Sequence, residues 1–171
     1  SNKAEDLKKS SHLILPGVGA FGASIEKIKN NISIELLSDE VKVKKKPFLG
    51  ICVGMQVLAE KGLEFGSHEG LGWIEGTVEK INAKVLPHVG WNNIEMKKNS
   101  PIFSNIKNAS DFYFVNSYAL KVKDNNIIIA ETTYENTFCS AVQKENIFGV
   151  QFHPEKSQKV GQDIIDNFLK V

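Results

Sequence analysis

The segment Gly50-Ile51-Cys52-Val53-Gly54 restricts this chain more than any other. Ahead of it runs Pro47-Phe48-Leu49, uncharged and apolar, the pattern of a strand buried on both faces. Behind it, Met55 to about Glu60 reads as a helix with Met55 and Leu58 on one side. A G-x-C-x-G between strand and helix has the form of a nucleophile elbow with Cys in place of Ser. The two glycines let neighbouring backbone approach without a Cβ clash, and a sharp turn lifts the sulfur clear of the sheet. The helix N-terminus favours thiolate, and the Val53 N–H can face a developing oxyanion. A small buried hydrophobe at Cys52 fits the same five residues, so the rest of the chain decides.

A cysteine nucleophile needs a base, and the base needs an orienting group. His153 and Glu155 stand two residues apart, just past the apolar run Ile147–Gln151. In an extended segment such residues point the same way, and Pro154 stiffens the tripeptide. Cys52 and His153 both follow strand ends, where ligands of α/β sheets collect. His12, His68 and His88 have no comparable partner and stay unassigned. No further Cys or His lies at ligand spacing from Cys52, His153 and Glu155, so neither metal nor cofactor is expected.

Elsewhere the chain predicts a strand at His12–Leu15, a breaker-rich turn at Pro16–Gly19, and helices over Ala20–Asn30 and Ile34–Val41. The lysine run 42–46 reads as solvated, Gly62–Gly72 as a loop, and Thr77–Ile81 as a strand with one wet face. Pro87–Asn92 reads as a loop or short turn. Strands are expected at Phe112–Asn116, Asn126–Glu131, Ser140–Gln143 and Ile147–Gln151. A closing helix, Gln158–Lys170, is expected to bury Ile164, Ile165, Phe168 and Leu169. The order predicts an α/β sheet, partly parallel, with an antiparallel extension.

At 171 residues one domain is expected. A net charge of +1 gives no reason for nucleic acid or an anionic membrane as partner. No apolar run approaches the roughly 20 residues of a membrane span, and the polar Ser1–Lys9 has no signal-peptide core. Two cysteines, Cys52 and Cys139, suggest no disulfide scaffold, and a reducing cytoplasm fits.

Taken together, Gly50–Gln56 and Phe152-His153-Pro154-Glu155-Lys156 resemble the class I (triad) glutamine amidotransferases, single-domain proteins with a flavodoxin-like open sheet and helices on both faces. Pro16–Phe21, Pro87–Asn92 and Phe114–Tyr118 narrow the resemblance to the glutaminase subunits of imidazole glycerol phosphate synthases, which serve histidine biosynthesis. The resemblance implies that Cys52 attacks the side-chain amide of L-glutamine, with His153 as base and Glu155 orienting it. It puts Val18 and Val53 in the oxyanion hole, and Gly19, Gln56, Glu64, Ser117 and Tyr118 around the glutamine. Trp91, Asn92, Tyr113 and Lys156 match positions facing a β/α-barrel cyclase subunit, which receives the ammonia in a heterodimer. Glycines on both sides of Val18 make a peptide flip there cheap, so the hole is expected to form with a partner's help.

Three departures are visible. The family opens with a strand and turn of the type I-x-D-Y-G-x-G-N, then a helix; nothing here matches it, so residues 1–171 are expected to be a glutaminase domain lacking its first βα unit. Asn116 stands where many relatives carry His, and Val53 replaces the commoner Leu. Rival readings are a paralogue feeding a sugar amidotransferase of surface-polysaccharide synthesis, a hydrolase or peptidase with the same elbow, and an inactive docking subunit.

Overall fold

The computed structural model describes residues 1–171. It begins with α1 (Ala4–Lys9), β1 (Leu13–Gly17), α2 (Phe21–Asn31) and α3 (Ile34–Ser38). The elbow follows as β2 (Phe48–Cys52) and the single turn α4 (Val53–Gln56), then β3 (Ala59–Gly62), β4 (His68–Glu69) and β5 (Ile74–Lys80). Next come β6 (His88–Asn93), β7 (Glu95–Met96), β8 (Asp111–Asn116) and β9 (Tyr118–Val122). The chain closes with β10 (Ile128–Tyr134), β11 (Asn136–Lys144), β12 (Ile147–Val150) and α5 (Gln158–Phe168).

The uncharged runs become the sheet's interior. A six-stranded sheet has the order β1-β2-β12-β11-β10-β7, its first three strands parallel and the rest antiparallel. Every residue of β2 and of β12 is buried, as strands covered on both faces require. β1 lies at the sheet's edge. A four-stranded sheet, β4-β3-β5-β9, and a two-stranded ribbon, β6-β8, complete the α/β architecture expected from the sequence. The parallel register pairs Gly17 with Cys52 and Val150 with Ile51, so the elbow sits between the ends of β1 and β12.

Tertiary pairing overrides local reading in several places. The elbow helix stops at Gln56 rather than near Glu60. Loop N–H groups of Leu71, Trp73 and Ile74 take the carbonyls of Val57 and Leu58, and Ala59–Gly62 joins β5 as a strand. Residues 88–93 form a strand, not a loop, paired with β8 from His88↔Asn116 to Asn93↔Asp111. The second helix is α-helical only to Ser38 and continues as a wider π turn over Asp39–Val43, with Ser33 capping it through Leu36 N–H. In that turn Glu40 is buried and bridges Lys44 and Lys46, each at 2.6 Å, so the lysine run is not wholly solvated. Helix α5 ends at Phe168; it buries Gly161, Ile164 and Phe168, leaving Ile165 half-buried and Leu169 exposed.

Aromatic packing fixes the ribbon to the sheet. Phe112 stacks on Phe152 at 4.1 Å between ring centres, and Phe114 meets the same ring edge-on at 5.8 Å. All three rings are fully buried. His88, buried beneath the ribbon, stacks between Phe114 and Tyr134, and burial holds its pKa below the usual histidine value.

Cys139 lies buried in β11, its thiol donating to the Ala141 carbonyl at 3.7 Å. Burial pushes this thiol from 9.0 up to about 12, with the Glu131 carboxylate adding to the rise. Unfolding frees it to ionise near 9, so its contribution to stability is present below pH 9 and is lost as pH climbs toward 12. The urea midpoint of the native chain is therefore expected to fall more steeply between pH 9 and 11 than that of Cys139→Ala; parallel pH profiles would contradict this.

Candidate functional site

Backbone geometry makes the site. Cys52 adopts φ 54° and ψ −112°, a left-handed conformation that costs a non-glycine residue about 1–3 kcal/mol. The tight return of the chain enforces it. A Cβ on Gly54 would lie 1.8 Å from the Leu15 carbonyl oxygen, and one on Gly50 would lie 2.5 Å from the Gly54 carbonyl oxygen. Only glycine fits at either position, as the G-x-C-x-G pattern predicts.

Cys52 and His153, a hundred residues apart in sequence, line one cavity of about 340 Å³. Val18, Gly19, Val53, Gln56, Glu64, Ser117, Tyr118 and Lys156 line it too, so ten of the fourteen residues picked out by sequence share one wall system. Glu155 lines a neighbouring apolar groove with His153 and accepts from His153 Nδ1 at 2.7 Å. That bond makes Nδ1 the protonated nitrogen and leaves Nε2 as a base. The imidazole is 3% exposed and the Glu155 side chain 53%, so the pair reaches outward from a buried ring. Pro154–Lys156 forms a 3-10 turn, so the two side chains meet across a turn rather than along an extended strand.

His153 is held from three sides. Its N–H donates to the Tyr113 carbonyl at 2.9 Å, and its own carbonyl accepts from the Ser157 hydroxyl at 2.6 Å. Ser157 Oγ in turn accepts from the Tyr113 N–H at 3.0 Å. Ser157, fully buried, went unnoticed in the sequence; a hydroxyl four residues after the histidine was the available signal.

Burial works against ionisation of the Cys52 thiol. Burial pushes Cys52 from 9.0 up to about 11 and the Glu155 carboxylate adds to the rise, while the Val53 N–H and the Gln151 amide pull the other way. A helix of one turn, α4, carries too little aligned dipole to overcome burial, so the thiolate expected from a helix N-terminus is not the resting form.

The family model described as glutamine amidotransferase class-I matches residues 1–171. The chain belongs to the class I glutamine amidotransferases. A Campylobacter jejuni (strain RM1221) protein named imidazole glycerol phosphate synthase subunit HisH 1 is 46% identical over 98% of this chain and 84% of its own length. The HisH subunit of Pyrococcus furiosus is also 46% identical, over 97% of this chain and 84% of its own. A crystal structure titled glutamine amidotransferase superposes with a TM-score of 0.75 at 17% identity, covering 99% of this chain and 83% of that one, and so supports the fold.

In this amidotransferase the other sequence-selected residues lie where the ribbon meets solvent. Trp91 is 49% exposed and packs edge-on against Tyr113 at 6.0 Å. The Lys156 ammonium sits 5.9 Å over the Tyr113 ring. Asn92 behaves differently: its amide donates to His88 Nε2 at 3.3 Å and to the Thr133 carbonyl at 3.0 Å, bracing the ribbon from within. Glu64 has one oxygen committed to the Phe21 N–H at 2.8 Å, which leaves the other free. No helix is long and apolar enough to cross a membrane.

Replacing Gly54 by Ala is expected to cost about 3 kcal/mol, because the new Cβ must displace the β1 backbone. Gly72→Ala, at positive φ but in open space, is expected to cost about 1 kcal/mol. Urea unfolding of the two variants tests the ranking; equal losses would contradict it.

Proposed function

We propose that this chain hydrolyses L-glutamine to glutamate and ammonia as the glutaminase subunit of an imidazole glycerol phosphate synthase in histidine biosynthesis. The observation that carries the reading is the strained Cys52 sharing a cavity with a histidine whose Nδ1 is bonded to Glu155. The names of relatives 46% identical over nearly the whole chain support the pathway. We read residues 1–171 as one glutaminase domain. Two free cysteines suit a reducing cytoplasm.

In this mechanism His153 Nε2 takes the Cys52 proton as the sulfur attacks the glutamine carboxamide carbon. The same imidazole hands the proton to the leaving nitrogen, releasing ammonia and a glutamyl thioester. Water then enters, gives its proton to His153, and breaks the thioester to regenerate the thiol. Glu155 fixes the tautomer and stabilises the imidazolium between steps. The Val53 N–H and that of exposed Val18 are the oxyanion donors; Gly17, which shares the peptide unit carrying the Val18 N–H, lets that peptide reorient. Glu64's free oxygen meets the α-ammonium group, and Gly19, Ser117, Tyr118 and Gln56 Oε1 close around the rest of the glutamine.

A cyclase subunit, of β/α-barrel form, docks on the face shown by Trp91, Tyr113 and Lys156, with Asn92 bracing it from behind. Protonated ammonia is no nucleophile, so the product must pass directly to that partner. A paralogue serving a sugar amidotransferase would use the same triad and differ at this face.

A diazo-ketone analogue of glutamine is expected to label Cys52 and leave Cys139 untouched, read by mass spectrometry with the cyclase present. Equal labelling of both, or of neither, overturns the glutaminase reading. Cys52→Ala should lose turnover at least 10³-fold and keep its affinity for the cyclase, whereas Trp91→Ala should weaken docking about ten-fold or more, as titration calorimetry would show.

A further inference from the structure

The parallel register of β2 and β12 sets one more side chain against the nucleophile. Val150 pairs with Ile51, so Gln151, the next residue, runs alongside Cys52. Its backbone N–H extends the pairing to β11 by donating to the Ser140 carbonyl at 2.8 Å. The side chain is fully buried, and its Nε2 reaches Cys52 Sγ at 3.7 Å. Its Oε1 accepts from Gln56 Nε2 at 3.0 Å, and the same Gln56 nitrogen donates to the Tyr118 carbonyl at 2.9 Å. Flipping Gln56 would set its oxygen against the Tyr118 and Gln151 oxygens, and flipping Gln151 would set its NH2 against that of Gln56, so the network itself fixes both orientations. A primary amide, sealed from water and unable to rotate, therefore aims an N–H at the sulfur.

We infer that Gln151 is a positioning residue for Cys52, with Gln56 as its anchor: its amide N–H holds the sulfur in line and stabilises the thiolate as it forms. The inference rests on the glutaminase reading for its purpose, but not for its test. Apolar side chains occupy most of β12, and a leucine here would pack as well while leaving the developing charge unsolvated. An N–H bonded to sulfur favours the anion over the thiol, whereas the same bond to a neutral thiol is weak. Gln151 thus acts on the step in which His153 removes the proton, and it supplies from the sheet interior what α4, a single turn, does not. It also assigns Gln56 two duties: both amide hydrogens lie inward, so only Oε1 remains for a ligand.

Alkylation of Cys52 by iodoacetamide at pH 8.5–9.5, in a Cys139→Ala background, reads thiolate stability without glutamine. The titratable groups facing the sulfur are His153, Glu155 and Lys156 from the segment after β12, with Glu64 and Tyr118 across the cavity; residues 15–20 and α4 bring none. All of these stay constant across the series. Gln151→Leu is expected to slow alkylation about ten-fold, the loss of one charge-assisted hydrogen bond. Gln151→Glu, nearly isosteric and still able to accept from Gln56, is expected to be slower still, because it turns a carboxylate on the thiolate. A residue that merely filled space would give the reverse order, with Glu nearer to native than Leu. That order, or rates for both variants within two-fold of native, overturns the proposal. If the Gln151 variants do not fold, Gln56→Leu frees the amide to turn away and should slow alkylation about three-fold, an unchanged rate counting against it. Failure of the diazo-ketone with normal alkylation ordering would sink the glutaminase reading and leave this one standing.

Discussion

Everything about the site depends on how closely two backbones touch. Gly54 lies against the Leu15 carbonyl, and Gly50 beneath the Gly54 carbonyl, with no room for a methyl group at either place. This contact closes the turn between β2 and α4, and the turn forces Cys52 into a conformation it would not choose. Close packing of the sheet thus supplies the energy that keeps Cys52 in its strained turn.

The second half of the site is anchored by a different part of the fold. Phe152 is clamped by Phe112 and Phe114, and the next residue, His153, hangs its N–H on the Tyr113 carbonyl. The strand that holds His153 is therefore the strand that displays Tyr113 to solvent beside Trp91. A load on the outer ribbon reaches the imidazole through one peptide unit. That arrangement gives an outer binding event a short mechanical path to the proposed base.

Much of this was readable beforehand, and the exceptions have physical causes. The meeting of Cys52, His153 and Glu155 was foreshadowed because each carries a local signature: glycines two residues from Cys52, and Pro154 between His153 and Glu155. The two strands buried on both faces, β2 and β12, were visible as uncharged runs. Strand β6 was not, because Gly90 and the polar Asn92 and Asn93 read as turn residues, and only pairing with β8 makes them a strand. Strands β3 and β9 were missed for a similar reason: their length and composition are too ordinary to outweigh helix or loop signals. Gln151 and Ser157 belong to a third kind. Their partners are set by register and by the path of the chain, which no local pattern records.

A thiol kept protonated at rest has a consequence beyond the reaction itself. Peroxides and disulfides attack thiolates far faster than thiols, and the first product of such attack, a sulfenic acid, would disable the enzyme. Burial that pushes Cys52 up to about 11 lowers the fraction of thiolate open to such attack. In the proposed reaction the sulfur ionises only as His153 takes its proton, so endurance and reactivity would be separated in time rather than traded against each other.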